Sequence, residues 1–389
     1  MAPELAVGSA AAARRKFALV CLHCGTEMVP ALVYRCPDCA GALEARFALG
    51  EARPRVHVAP ERAYFDYLPV MSSAFLEEGL SVRTPCRPVP ALGAAIGVPR
   101  LWVKDETGQP TGSTKDRLAS VVLAVLRQFG VTEFVASSTG NSSTALARAV
   151  RRDPVMRAHF FCGRDFESGQ DFARDERVTL SVVDGGYVAA GAQARAYAEE
   201  RGLHLEGGFF NWARREGLKI AYLEAVDEMG RVPDVVVQAI SSGMGILAAE
   251  KGIREYLATG RADRMPRFLM VQEASCAPMA AAWRAGRVEL TEADVIAEPS
   301  GLATAILLGD GSPYYPYLAD IAARSGGSIV AADADALVRA HAQLRDLAGI
   351  DACYASAATI AAVSAEAAGG RIDPGETVLV NLTGKARDT

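Results

Sequence analysis

From Leu101 onward the chain alternates short runs rich in β-branched and aromatic residues with longer, Ala-rich runs of helical spacing. No other feature limits the fold as strongly. Parallel strands cannot be joined by a tight turn and need a crossover, which is usually a helix. The pattern predicts strands at 101–103, 133–136, 159–162, 179–183, 235–239, 268–272, 328–331 and 377–382. Helices are predicted at 144–151, 189–201, 218–229 and 246–259. An α/β architecture with mostly parallel sheets follows.

At 389 residues, half of them hydrophobic, the chain can fill more than one core. A net charge of -5, with no basic stretch around Cys21 to Cys39, argues against nucleic acid as a partner. No apolar run is long enough to span a bilayer, so no membrane association is expected. Residues 1–16 read as an Ala-rich, disordered tail without the apolar segment of a secretory signal. A cytoplasmic location is therefore expected.

Four of the eight cysteines form two Cys-x-x-Cys pairs, Cys21 with Cys24 and Cys36 with Cys39, eleven residues apart. Two such knuckles can set four thiolates tetrahedrally around a structural zinc. The expected module covers 17–49, with 32–35 as one of its strands. Four thiolates leave no open position, so a catalytic metal is not expected there.

Gly112-Ser113-Thr114-Lys115-Asp116-Arg117 places an amine after a Pro-Thr-Gly turn and before the apolar helical run 118–126. A lysine held this way can form a Schiff base with an aldehyde cofactor. Three further loops follow predicted strands, where open α/β sheets bind ligands. Ser137 to Thr144 offers hydroxyls, an amide and helix N-terminal N–H groups, suited to a carboxylate or a ring substituent. Ser241-Ser242-Gly243-Met244-Gly245 lets the backbone approach a single phosphate; it lacks the lysine of a nucleotide-binding loop. Asn381-Leu382-Thr383-Gly384 ends the last strand with a hydroxyl that can meet a heteroaromatic nitrogen. An aldehyde partner, a phosphate cup and a group facing a pyridine nitrogen together suit pyridoxal 5'-phosphate.

In order and spacing these segments resemble the threonine synthase family, within the fold-type-II pyridoxal phosphate enzymes (tryptophan synthase β-like). Further matches are the Cys-rich start, Arg214-Arg215-Glu216-Gly217-Leu218-Lys219, Ala303-Thr304-Ala305-Ile306 and Ala355-Ser356-Ala357-Ala358. The resemblance implies two α/β domains behind the zinc-ribbon-like module. The large cofactor-binding domain would take 60–118 and 209–389, and the small one 119–208. It implies that Lys115 carries the cofactor and moves protons, with Asn141 at the ring's 3-oxygen. Ser242, Gly243, Met244 and Gly245 would hold the cofactor phosphate, and Thr383 would face the ring nitrogen. Ser138, Thr139 and Ser142 would bind the substrate α-carboxylate, and Asn211 and Arg214 a substrate phosphate. A homodimer acting on a small amino-acid substrate is expected.

Departures fall mainly on the substrate side. Gly208 and Phe209 replace the family's Asn-Ser, Trp212 replaces a proline, and Thr114 replaces an aromatic residue. The implied reaction turns O-phospho-L-homoserine and water into L-threonine and phosphate. The altered substrate side keeps open β-replacement or β-elimination on another amino acid such as O-phosphoserine, and dehydration of threonine or serine. A non-catalytic cofactor-binding homologue is a further alternative. His204 has no partner visible in sequence.

Overall fold

The computed structural model describes residues 16–386, so the expected N-terminal tail lies, apart from Lys16, outside the described residues. The strands are β1 (Phe17–Cys21), β2 (Glu27–Met28), β3 (Leu43–Phe47), β4 (Cys86–Pro88), β5 (Leu101–Asp105), β6 (Glu133–Ser137), β7 (Arg157–Gly163), β8 (Val178–Val183), β9 (His204–Leu205), β10 (Val235–Ala239), β11 (Arg267–Glu273), β12 (Ser328–Ala332) and β13 (Val378–Leu382). The longer helices are α1 (Lys115–Gln128), α2 (Asn141–Arg152), α3 (Tyr187–Arg201), α4 (Trp212–Met229), α5 (Met244–Ala258), α6 (Tyr315–Ser325), α7 (Ala334–Ala348) and α8 (Tyr354–Ala368). Every predicted strand from residue 101 onward is present within a residue or two of its expected ends.

The chain forms two compact units. The first holds residues up to Arg83 together with Lys115–Ile220; the second holds Thr84–Thr114 and the chain from Ala221 onward.

In the first unit a four-stranded parallel sheet runs in the order β8-β7-β6-β9. Ala190, Ala194 and Ala198 recur at four-residue spacing on α3 and pack on Val135, Phe161 and Val183 of the sheet. Their small side chains let the helix lie close. A three-stranded antiparallel sheet, β2-β1-β3, carries the cysteine module. Here one expectation is corrected. Residues 32–35 form no strand, and only Arg35 makes an isolated bridge, to Ala42. The missing strand is supplied by β3, which pairs along all of β1. This segment instead docks on the start of α4 through its backbone and Arg35. The Val33 carbonyl accepts the Trp212 indole N–H at 3.1 Å, and the Arg35 guanidinium lies 3.5 Å from the centre of the Phe210 ring.

The second unit has a six-stranded sheet in the order β12-β11-β10-β13-β5-β4. All its pairings are parallel except that of β4, which closes one edge in the antiparallel sense. On one face Val103, Val237, Val271 and Val380 join Ala355, Ala358 and Ala362 of α8 in a single core. The alternate residues Val236, Phe268 and Met270 are buried too. Both faces are therefore covered, which explains why these strands read as continuous apolar runs.

Candidate active site

Each parallel sheet has one point where the strand order reverses, and in open α/β sheets ligands bind in the crevice at that point. In the second unit β10, β11 and β12 step outward, while β13 returns to the other side of β10. The Ser242–Gly245 loop leaves β10 there, and Thr383 follows β13. Gly243 sits at φ 77°, a left-handed conformation that glycine adopts without strain, and opens the fifteen-residue α5. A Cβ on Gly245 would fall on the side-chain amide of Gln238. Gly243 and Gly245 thus leave the backbone bare on either side of Met244. The Ile246 and Leu247 amides close onto the Gly243 carbonyl at 3.0 and 3.2 Å. The Met244 and Gly245 amides stand ahead of them at the helix end, where N–H groups have no intrahelical acceptor and favour an anion.

A buried polar network supports this loop. Gln238 Oε1 accepts from the Tyr222 hydroxyl and, at 3.2 Å, from Asn381 Nδ2. Asn381 Nδ2 also lies 3.1 Å from the Tyr222 oxygen. Burial pushes the Tyr222 phenol well above its ordinary pKa, so it stays a neutral donor. The Asn381 Oδ1 atom is buried without a hydrogen-bond partner. Helix-end amides presented by a turn that Gly243 and Gly245 keep open fit the phosphate of a phosphorylated cofactor.

The chain end is laced to the segment leading into Lys115. The Thr114 amide donates to the Thr383 carbonyl at 2.9 Å, and the Lys385 amide donates to the Gly112 carbonyl at 2.9 Å. Ser113 and Gly384 form an antiparallel bridge between them. Thr383 keeps a half-buried side chain. Lys115, the next residue after this clamp, is the first of α1 and is also half-buried.

The first unit places its expected site residues at its own reversal. There β6 continues into β7 and β8 on one side, with β9 on the other. Gly140, at φ 146°, turns the chain from β6 into α2, and a Cβ there would meet the Gly169 carbonyl at 2.6 Å. The Ser138 hydroxyl accepts the amides of Gly140 and Ser143 at 3.1 and 3.2 Å. Ser138 thus holds the loop's own shape. Thr139 is exposed, and Asn141 and Ser142 are half-buried in the first turn of α2. Helix α1 packs on α2. Helix α4 crosses the first turn of α1 at Gly217, where a Cβ would strike the Arg117 carbonyl.

That crossing explains much of the Arg214–Lys219 run. Gly217 permits the close approach, Arg215 donates to the Phe209 carbonyl at 2.5 Å, and Lys219 pairs with Glu216 inside the helix at 2.5 Å. Arg214 points elsewhere. Its Nε and Nη2 donate to the two carboxylate oxygens of Glu206 at 2.6 and 2.5 Å. Asn211 Nδ2 donates to Glu206 Oε1 at 2.9 Å and to the Glu206 carbonyl at 2.8 Å. The Gly208 amide adds a contact to Glu206 Oε2 at 3.1 Å. Glu206 is 1% exposed and Arg214 is 4% exposed. Burial alone would pull Arg214 down, but the charge and hydrogen bonds of Glu206 outweigh it and hold the guanidinium above its ordinary pKa. Arg214 Nη1 lies 3.5 Å from Ser142 Oγ, which ties this cluster to the Asn141 loop.

Sequence reasoning missed Glu206 and Tyr34, the partner of His204. The Tyr34 hydroxyl meets His204 Nε2 at 2.7 Å, and its ring fills the space where Gly207 would carry a Cβ. Burial lowers the pKa of the His204 imidazole. The only sequence signal was an acid, Glu206, shortly before the expected anion-binding Arg214.

In the cysteine module the four Sγ atoms of Cys21, Cys24, Cys36 and Cys39 all lie within 4.8 Å of one another. Tetrahedral ligands about 2.3 Å from zinc stand about 3.8 Å apart, so the cluster has the size for a metal ion. The His23 and Cys24 amides point at Cys21 Sγ at 3.4 and 3.5 Å, the turn expected of a knuckle. Gly41 is required beside it, because a Cβ would lie 3.0 Å from Cys21 Sγ and 3.2 Å from Cys39 Sγ.

Among the described residues no helix is long and apolar enough to cross a membrane. Residues 78–384 match the family described as pyridoxal-phosphate dependent enzyme. The threonine synthase of Methanocaldococcus jannaschii is 28% identical over 377 residues, covering 94% of this chain and 91% of its own. The cysteate synthase of Methanoregula boonei is 32% identical over 309 residues, covering 75% and 72%. The crystal structure of a threonine deaminase from T.th. shares the fold, with a TM-score of 0.65 at 23% identity over 79% of this chain and 94% of that one. Maize serine racemase does so with a TM-score of 0.65 at 18% identity, over 79% and 89%. A glycine cradle at one sheet reversal, a lysine opening α1 and relatives of nearly equal length agree: the chain belongs to the pyridoxal-phosphate dependent enzyme family, in its threonine synthase-like group, with the fold-type-II architecture.

Proposed function

We propose that the chain is a carbon–oxygen lyase that uses pyridoxal 5'-phosphate to act on a small L-amino acid. Bound to Lys115, the cofactor would supply an electron sink for the substrate's α-carbon. The Lys115 amine takes the α-proton and later returns it. The amides of Ser242 to Gly245 would hold the cofactor phosphate, with Asn141 and the neutral hydroxyl of Thr383 as partners for its ring. Ser138, Thr139 and Ser142 hold the α-carboxylate, and Asn211 and Arg214 border the substrate's side chain. The observation that carries this reading is the placement of Lys115 as first residue of α1, directly after a segment pinned to the backbone that bears Thr383. A catalytic lysine needs such a fixed root.

The resemblance gives this chemistry its first form: phosphate leaves the γ-carbon of O-phospho-L-homoserine and water adds at the β-carbon to give L-threonine. Relatives named for threonine and for cysteate leave the product open. The other forms are β-replacement or β-elimination on O-phospho-L-serine and dehydration of L-threonine or L-serine. A structural zinc in the four-cysteine module and a cytoplasmic homodimer complete the proposal.

The test is borohydride reduction of the purified protein followed by peptide mass mapping, together with assays on these four substrates for phosphate, keto acid and amino-acid product. A reduced cofactor adduct on Lys115 and turnover of one substrate are expected. No adduct and no turnover would reject the proposal.

A further inference from the structure

We propose that Glu206 sets the substrate's side-chain class: its carboxylate occupies Arg214 from within the chain, so the site takes an L-amino acid with an uncharged leaving group, such as a hydroxyl, in preference to a phosphate ester. This rests on the lyase reading above and specifies its substrate.

The geometry carries the argument. An arginine kept to receive a phosphate must leave its paired donors open, since the planar fork binds oxyanions through two parallel N–H bonds. Here both fork donors, Nε and Nη2, already hold the two oxygens of Glu206. Asn211, the other residue expected at a substrate phosphate, donates to the same carboxylate and accepts the Ala213 amide at 3.0 Å. The Gly208 amide is committed there as well. A phosphate arriving at this cluster would find its donors taken and a buried carboxylate of like charge among them. Displacing Glu206 would leave that buried charge without its partner. A hydroxyl makes neither demand, and the remaining Arg214 nitrogen near Ser142 can still serve a neutral group. The arrangement is fixed by Tyr34, whose ring covers Gly207 directly beside Glu206. For L-threonine the balanced outcome is loss of the α-hydrogen and the β-hydroxyl as water. Uptake of water then releases ammonia and 2-oxobutanoate.

The experiment uses the holoenzyme, wild type and Glu206→Gln. It compares kcat/KM for L-threonine and L-serine with that for O-phospho-L-homoserine and O-phospho-L-serine, and titrates inorganic phosphate by calorimetry. Wild type is expected to prefer the hydroxyamino acids and to bind phosphate weakly. Glu206→Gln should shift the ratio toward the phosphate esters and tighten phosphate binding by about tenfold or more, the scale of one charge-assisted hydrogen bond. Adding Arg214→Met to Glu206→Gln should erase the gain, which separates this position from phosphate held elsewhere in the chain. A merely structural role for Glu206 would lower both substrate classes alike and leave their ratio unmoved, overturning the proposal. Wild-type preference for a phosphate ester would overturn it too, even if Glu206→Gln failed to fold. Failure of the lyase reading has a different signature, the absence of a Lys115 adduct, and the Arg214-dependent phosphate titration can be read without one.

Discussion

The polar groups beneath Gly245 and those around Arg214 are buried to a similar degree, but they are arranged in opposite ways. Under Gly245 the Gln238–Tyr222–Asn381 network supports a backbone turn, leaves Asn381 Oδ1 without a partner and has helix N–H groups ahead of it. Around Arg214 the two fork donors and the Asn211 amide end on Glu206, while Arg214 Nη1 lies toward Ser142. The first presents helix-end N–H groups to an anion; the second turns its paired donors onto a carboxylate of the chain itself. Helix-end amides without an intrahelical acceptor favour an anion, whereas donors that already hold a carboxylate have less to offer one. A motif alone cannot make this distinction, because Arg214 matches the expected pattern while its partner lies eight residues upstream.

The comparison can be broken most forcefully at the lysine. Lys115→Ala should lower kcat/KM by about 10²–10⁴-fold or more, the usual contribution of a positioned acid–base group, and should abolish the borohydride adduct. Retained turnover would remove the reason for assigning the Gly245 side to a cofactor. Next in size is Cys36→Ser. With one of four thiolates gone, bound metal should fall well below the wild-type content and the melting temperature should drop by several degrees. Unchanged metal content, measured by elemental analysis, would detach the module from metal binding. Gly245→Ala comes third. The new methyl meets the Gln238 amide, so a cost of about 1–3 kcal/mol and a clear loss of cofactor affinity are expected in denaturant and fluorescence titrations. If affinity held while stability fell, the cradle would be a packing feature only. The smallest effect is at the closed cluster's margin. Tyr34→Phe removes one hydrogen bond to His204 and should cost about 1 kcal/mol, visible as a small shift in the denaturation midpoint.

Much of this was legible in the sequence, for reasons that can be named. Strands such as Val235–Ala239 are apolar on both sides because both sheet faces are covered, and that signal survives without any partner in view. Gly243 and Gly140 read correctly as loop glycines because their positive φ values leave glycine as the strain-free choice. What was not legible depended on distance along the chain. Residues 32–35 look like a strand, but the Val33 carbonyl and the Arg35 guanidinium meet Trp212 and Phe210, about 180 positions later. Ser138 looks like a ligand group and also caps its own loop, which composition cannot tell apart. Glu206 carries no motif; only the fold turns it onto Arg214.

The seating of Tyr34 on Gly207 has a consequence for anyone who would re-engineer this protein. Residues 204–214 cannot be exchanged as a cassette, because any side chain at 207 collides with a ring from the cysteine module, while His204 and Trp212 take their partners from positions 34 and 33. A functional chimera with a relative would have to transplant two stretches at once, the turn around 33–35 and the segment at 204–214. In recombination libraries the two should be inherited together.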